Sequence, residues 1–187
     1  MVSSSTAATS RKNERDAKSM RISKLLFALT TIGILVAGDS RAVAGSATAN
    51  LSVTATVVAN CTISTTAVAF PAYDPIVANA STNDDGTGTV TITCTRGTSA
   101  TIGLGLGANV SGSQMRMKDA GTDYLNYALY QDSGRGTVWG NSGGALLSPV
   151  AAPDKNPRSF TVYGRIPAAQ DVPAGSYTDT VVATVNF

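Results

Sequence analysis

The chain of 187 residues contains no histidine and only two cysteines. The first absence removes the commonest general base and metal ligand. The second leaves too few thiolates for a four-cysteine zinc site. Charge is scarce as well: 14% of residues are charged against 43% apolar, and the formal net charge is +2. That balance excludes a highly charged disordered chain, and it implies no nucleic-acid surface. The length suits one domain, with or without a tail.

What charge there is lies unevenly. Arg11, Lys12, Arg15, Lys18, Arg21 and Lys24 crowd the start, and Leu25–Gly38 follows with no charge at all. Asp39-Ser-Arg-Ala-Val-Ala44 comes next. A basic region, a short apolar stretch and small residues before a cut form a secretory signal peptide. The stretch is short for a bilayer span of about 20 residues, although an N-terminal membrane anchor is the alternative. Residues 1–44 are therefore expected to be a signal peptide cleaved after Ala44. Because Met20–Ala44 is a complete signal peptide by itself, Met20 could be the true start; residues 1–19 are then either a misassigned upstream extension or an extended basic leader. Cleavage leaves 143 of the 187 residues, with seven bases, nine aspartates, no glutamate and a net charge of −2. Keeping turn-forming Asp while lacking the helix-former Glu points away from helices.

Period-two patterns then recur between turn signals. In Asn50–Val58, Leu51, Val53, Ala55 and Val57 alternate with polar residues. Further strands are expected at Ile63–Phe70, Val90–Thr95, Ala100–Leu106, Tyr124–Gln131, Phe160–Ile166 and Tyr177–Phe187. Thr137–Trp139 is expected to return beside Tyr124–Gln131 across a Ser133–Gly136 turn. Asn83-Asp84-Asp85-Gly86 reads as another turn. Many short strands with Gly/Pro punctuation indicate an all-β sandwich or barrel. Cys61 begins one strand and Cys94 ends another, so an exported chain is expected to join them as a disulfide.

Asn50–Val58 has two readings. It is either the first strand of its own sandwich or a donor strand that completes the sheet of a neighbouring copy. Strand addition uses backbone hydrogen bonds for affinity and alternate side chains for specificity.

The stretches Leu125–Asp132 with Val138-Trp139-Gly140, Phe160–Pro167, and Val172–Val181, together with Gly107, Arg116, Met117 and Gly121, resemble the spore coat protein U domain, the subunit of archaic chaperone–usher pili. The resemblance spans nearly all of 45–187. It implies an incomplete immunoglobulin-like β-sandwich over 61–187, completed by donor-strand complementation from residues 45–60. Leu51, Val53, Ala55 and Val57 become the donor side chains, and Tyr177, Val181, Ala183, Val185 and Phe187 line the acceptor groove. The implied partners are a periplasmic chaperone, an outer-membrane usher and identical or related pilin subunits. The implied destination is a cell-surface fibre serving adhesion and biofilm formation. A spore-coat-type structural protein is an alternative within the same family.

Other chemistries find little purchase. Asp84-Asp85 could suggest a carboxylate pair, but neighbours in a strand face opposite ways, and calcium needs a longer series of oxygen ligands. Gly103-x-Gly105-x-Gly107 precedes no helix, so it reads as a bent or closely packed strand rather than a phosphate loop. Trp139, Tyr124, Tyr127 and Tyr130 could form the stacking face of a monomeric sugar-binding tip adhesin, with core packing as the plainer reading. Arg116, Lys118, Lys155 and Arg158 read as solvated loop charges. No catalytic residue, metal or cofactor is expected, and the chain is read as a non-enzyme.

Overall fold

The computed structural model describes residues 44–187, so the expected leader lies outside the described residues except for Ala44. The chain divides after Leu51 into two units. In the first, residues 44–51 are exposed and outside any strand.

The second unit is all-β. Its strands are β1 Cys61–Ala69, β2 Asp84–Cys94, β3 Thr101–Leu104, β4 Met115–Lys118, β5 Tyr124–Tyr130, β6 Arg158–Ile166 and β7 Ala183–Asn186, with one short 3-10 turn at Gly143–Ala145. Five strands form one antiparallel sheet in the order β1-β2-β6-β5-β4, and β3 pairs with β7 in a second. This is the expected sandwich class.

The alternation that announced the strands also builds the core. Along β2 every even position from Asp84 to Cys94 is buried, and the odd positions are more exposed. Ile92, Val90 and Val162 of the large sheet thereby meet Ile102 and Leu104 of the small one. Trp139 fills the centre at 1% exposure, and its indole N–H donates to the Ile102 carbonyl at 3.0 Å. Tyr127 is buried too, so neither it nor Trp139 is free to stack on a sugar. The outer face carries paired hydroxyls instead, with Thr66 against Thr89 and Thr91 against Ser159, each at 2.7 Å.

Cys61 and Cys94 face each other across β1 and β2 and are disulfide-bonded. They mark one end of the sandwich, the disulfide end, where β6 also starts at Arg158 beside Ile92. Ala69, Asp84 and Ile166 mark the far end.

Three expectations need correction. Asn83–Gly86 is not a turn: from Asp84 onward it is strand, paired with Ile166, Arg165 and Gly164. Two contacts stabilise this extension. Asp85 accepts two hydrogen bonds from its cross-strand partner Arg165, at 2.7 and 2.9 Å, and Gly86 fits beneath Ala69 and Phe70 where a Cβ would not. Arg116 and Lys118 are not loop charges but half of β4, and Arg158 is the first residue of β6, its guanidinium donating to the Val150 carbonyl. The Arg116 guanidinium stacks 4.0 Å over the Tyr124 ring and donates to the Asn109 carbonyl. Finally, the expected long strand Tyr177–Phe187 is regular only over Ala183–Asn186, for the reason given next.

Candidate functional site

The C-terminal segment changes sheets as it runs. Thr178 exchanges two backbone hydrogen bonds with Lys118, at 2.8 and 2.9 Å, at the β4 edge of the large sheet. Beyond that point the Ala108 and Gly105 amides donate to the Thr180 and Val182 carbonyls, and β7 then continues along β3.

Asp179 sits at the crossing. Its carboxylate accepts from the Ala108 amide at 2.9 Å, the Asn109 amide at 3.1 Å, the Asn109 side-chain amide at 3.0 Å and the Tyr127 hydroxyl at 2.6 Å. Gly107, in the left-handed region at φ 87°, lies so close to this carboxylate that a Cβ would collide with it. Burial and the adjacent carboxylate together push the Tyr127 phenol well above the ordinary tyrosine range, so it remains a donor. Asp179 therefore pins the start of the C-terminal segment to the β3 loop and the core at once. Sequence reasoning gave it no role. The available signal was that it is the only charged residue between Tyr177 and Phe187.

This crossing leaves a gap in the sandwich. Among the described residues β1 pairs only with β2 and β7 only with β3, so each presents one unpaired edge. Between the edges lies a cleft of about 300 Å³ whose floor is core, including Leu104, Tyr127 and Leu129. Val68 and Phe70 form one wall. They lie low over the sheet because glycines lie beneath them: a Cβ on Gly164 would stand 2.6 Å from Phe70 Cζ and 2.7 Å from Val68 Cγ1. Tyr177, Val181 and Ala183 form the opposite wall. A second cleft of about 690 Å³ at the far end shares Val68, Phe70, Met117 and Tyr177 with the first. An open groove over core residues is the hazard that an unfilled sheet edge creates.

Three of the five expected groove residues thus meet in the cleft. Val185 does not line it; it is half-buried against the core farther along β7. Phe187 lies past the last β3–β7 pair, Thr101 with Asn186, and is 56% exposed. The alternation that linked Phe187 to the others ends where the pairing ends.

The expected donor residues occupy no strand of their own sheet. Residues 52–60 are exposed and outside any strand; Val53 is 84% and Val57 83% exposed, and Ala55 is exposed. Leu51, in the first unit, is 88% exposed. The last residue before β1 is tethered: the Thr95 amide donates to the Asn60 carbonyl at 2.9 Å.

Comparison with known proteins agrees with this architecture. Over 71% of this chain, the fold matches a chain of the CsuC–CsuE chaperone–tip adhesion subunit pre-assembly complex from the archaic chaperone–usher Csu pili of Acinetobacter baumannii. The TM-score is 0.54 at 24% identity, and the match spans 41% of that chain. Protein U of Myxococcus xanthus is 39% identical over 182 residues, covering 90% of this chain and all of Protein U. The sequence profile of the Spore Coat Protein U domain matches residues 47–184, which is almost all of the described chain. With its curled sheet, open cleft and unpaired N-terminal segment, the chain belongs to the Spore Coat Protein U domain family.

Proposed function

We propose that the chain is a structural subunit of an archaic chaperone–usher fibre that polymerises by donor-strand exchange. The leader 1–44 directs export, a periplasmic chaperone holds the subunit, and an outer-membrane usher delivers it to the surface. The observation that carries this reading is a pair of complementary defects. A cleft exposes core side chains between two unpaired edges, and an alternating apolar segment, 51–57, has no sheet. Leu51, Val53, Ala55 and Val57 of one copy fill the cleft beside Tyr177, Val181 and Ala183 of the next.

The topology supports one direction of insertion. The donor leaves its own subunit at the disulfide end, through Ala59-Asn60 into Cys61. An open polymer needs a heterologous interface, because insertion through the acceptor's own disulfide end would close a two-fold dimer. The donor therefore passes through the far end, with Val57 near Tyr177 and Leu51 deeper in. It then runs antiparallel to β7, which proceeds from the far end toward the disulfide end. This pairing satisfies both free edges with backbone hydrogen bonds and requires no ionisable group.

Deleting residues 45–58 with the chaperone present should yield a soluble chaperone–subunit complex and no polymer. Polymers of normal length from the deleted chain would overturn the reading. The 39% identity to Protein U favours one second reading, a coat-type structural protein assembled by the same exchange. Immunogold labelling separates the two: extended surface fibres support the first, and an even layer on the cell or spore supports the second. Adhesion and biofilm formation follow from the fibre reading and are tested by surface attachment of the deletion strain.

A further inference from the structure

We infer that the two ends of the sandwich form a charge-complementary second contact between successive copies, and that this contact selects the head-to-tail polarity of the polymer. The inference rests on the donor-strand reading above.

The nine aspartates and seven cations of residues 45–187 are not spread evenly along the strands. At the disulfide end, Arg96 is exposed in the turn after β2 and Lys155 in the 149–157 loop, which the Gly97 amide ties down through the Ala152 carbonyl. Both line a shallow cleft with Asn60, the residue through which the N-terminal segment leaves. Arg158 starts β6 at the same end, and the single acid there is Asp154. The far end has the opposite sign. Asp74 follows β1, Asp171 follows β6, and Asp119 and Asp123 occupy the β4–β5 turn, with Arg116 and Lys118, both over the Tyr124 ring, as their neighbour cations. Burial raises the phenol of Tyr177, at the mouth of the cleft, and the charges of Asp119 and Asp123 raise it further. Asp84 and Asp85 lie at this end as well, the latter held by Arg165 and Arg135.

Chain length forces the two ends together. Only Ala59 and Asn60 separate Val58 from Cys61. A donor strand that ends at the far end of one copy therefore leaves the disulfide end of the other within about 10 Å. That is about one Debye length at physiological salt. Head-to-tail docking sets Arg96 and Lys155 against the aspartate-rich mouth. The inverted arrangement sets the two basic ends against each other. Complementary fields of this kind raise association rates and reject wrong orientations more than they add affinity.

The donor supplies an internal control, because Gly45–Val58 contains no charged side chain. Polymerisation of the chain from Gly45 to Phe187, followed by light scattering, should slow at least tenfold between about 20 mM and about 500 mM NaCl. Uptake of an end-capped Gly45–Val58 peptide by the same chain should not change. Arg96→Glu with Lys155→Glu should slow low-salt polymerisation several-fold and leave peptide uptake intact. Adding Asp123→Lys and Asp171→Lys to that variant restores complementarity and should restore the rate; among the described residues, none of these four side chains makes a hydrogen bond. A polymerisation rate flat in salt, or a fourfold variant no faster than the double one, overturns the inference while leaving the donor reading in place. Failure of peptide uptake, with normal polymers from the chain lacking 45–58, overturns both.

Discussion

Removing the Tyr127–Asp179 contact should show how firmly the C-terminal wall of the cleft is pinned. Asp179→Ala removes an acceptor shared by four donors. The Ala108 amide retains the Thr180 carbonyl at 3.1 Å, and the half-exposed Asn109 groups regain water. The Tyr127 hydroxyl has no such recourse, since the residue is 4% exposed. An orphaned buried donor costs about 1–3 kcal/mol, and lost bonds to a charged acceptor add to that, so we expect a destabilisation of about 3 kcal/mol. Tyr127→Phe leaves the carboxylate its three remaining donors and should cost about 1.5 kcal/mol. The double variant should then cost about 3 rather than 4.5 kcal/mol, a coupling of about 1.5 kcal/mol. Urea unfolding followed through Trp139, the chain's only tryptophan and a buried one, measures all four corners. Additivity within about 0.5 kcal/mol would show that the 2.6 Å contact is not a stabilising link, and the account of Asp179 as the pin of the crossing segment would fail.

Gly164→Ala should destabilise by about 1–3 kcal/mol, because the new Cβ must displace Phe70 or Val68. Both line the cleft, so uptake of the Gly45–Val58 peptide should weaken in the same titration. Reducing Cys61–Cys94 opens a link of sequence separation 33 and should cost about 3–4 kcal/mol in the chain-entropy account; an unchanged urea midpoint would refute that. The adjacent aspartates should respond oppositely to pH. Burial raises the Asp84 carboxyl, so its contribution to stability falls as pH rises through that raised value, and Asp84→Asn should raise the urea midpoint at pH 7. The hydrogen bond from Arg165 lowers the Asp85 carboxyl, so its stabilisation is present above the unfolded value and lost as pH falls through the folded one. With 37% of the side chain exposed, Asp85→Asn should cost only about 0.5–1 kcal/mol at pH 7. Shifts of the same sign in the two variants would contradict these environments.

The strands that were legible in the sequence are those with long, clean alternation. β2, β5 and β6 each bury one face of a period-two pattern, and the Cys61–Cys94 pair fell on facing strand ends as expected. β4 was not legible, because four residues with two cations look like a loop until Tyr124 lies under Arg116. The start of β2 was misread for a related reason. Asn-Asp-Asp-Gly is turn chemistry locally, and only the Arg165 partner and the Phe70 side chain make the extended form favourable. The groove residues came from the family resemblance, which implied Tyr177, Val181, Ala183, Val185 and Phe187 alike; only the first three line the cleft, because where the C-terminal segment leaves the β4 edge and pairs with β3 is set by residues distant in sequence.

The sequence alone determined an all-β chain with a basic and then uncharged apolar stretch in residues 11–38, a pair of cysteines and an uncharged alternating segment at 50–58. Those properties depend on neighbours in the chain: residue period, turn chemistry and composition. Tertiary structure decided that the sandwich has a gap, that Asp179 turns the last segment from one sheet to the other beside that gap, and that charge of opposite sign gathers at the two ends. Each of these depends on residues distant in sequence, such as Asp179 with Asn109, Asp85 with Arg165, or Asn60 with Arg96, whose proximity is set by strand order rather than by spacing along the chain.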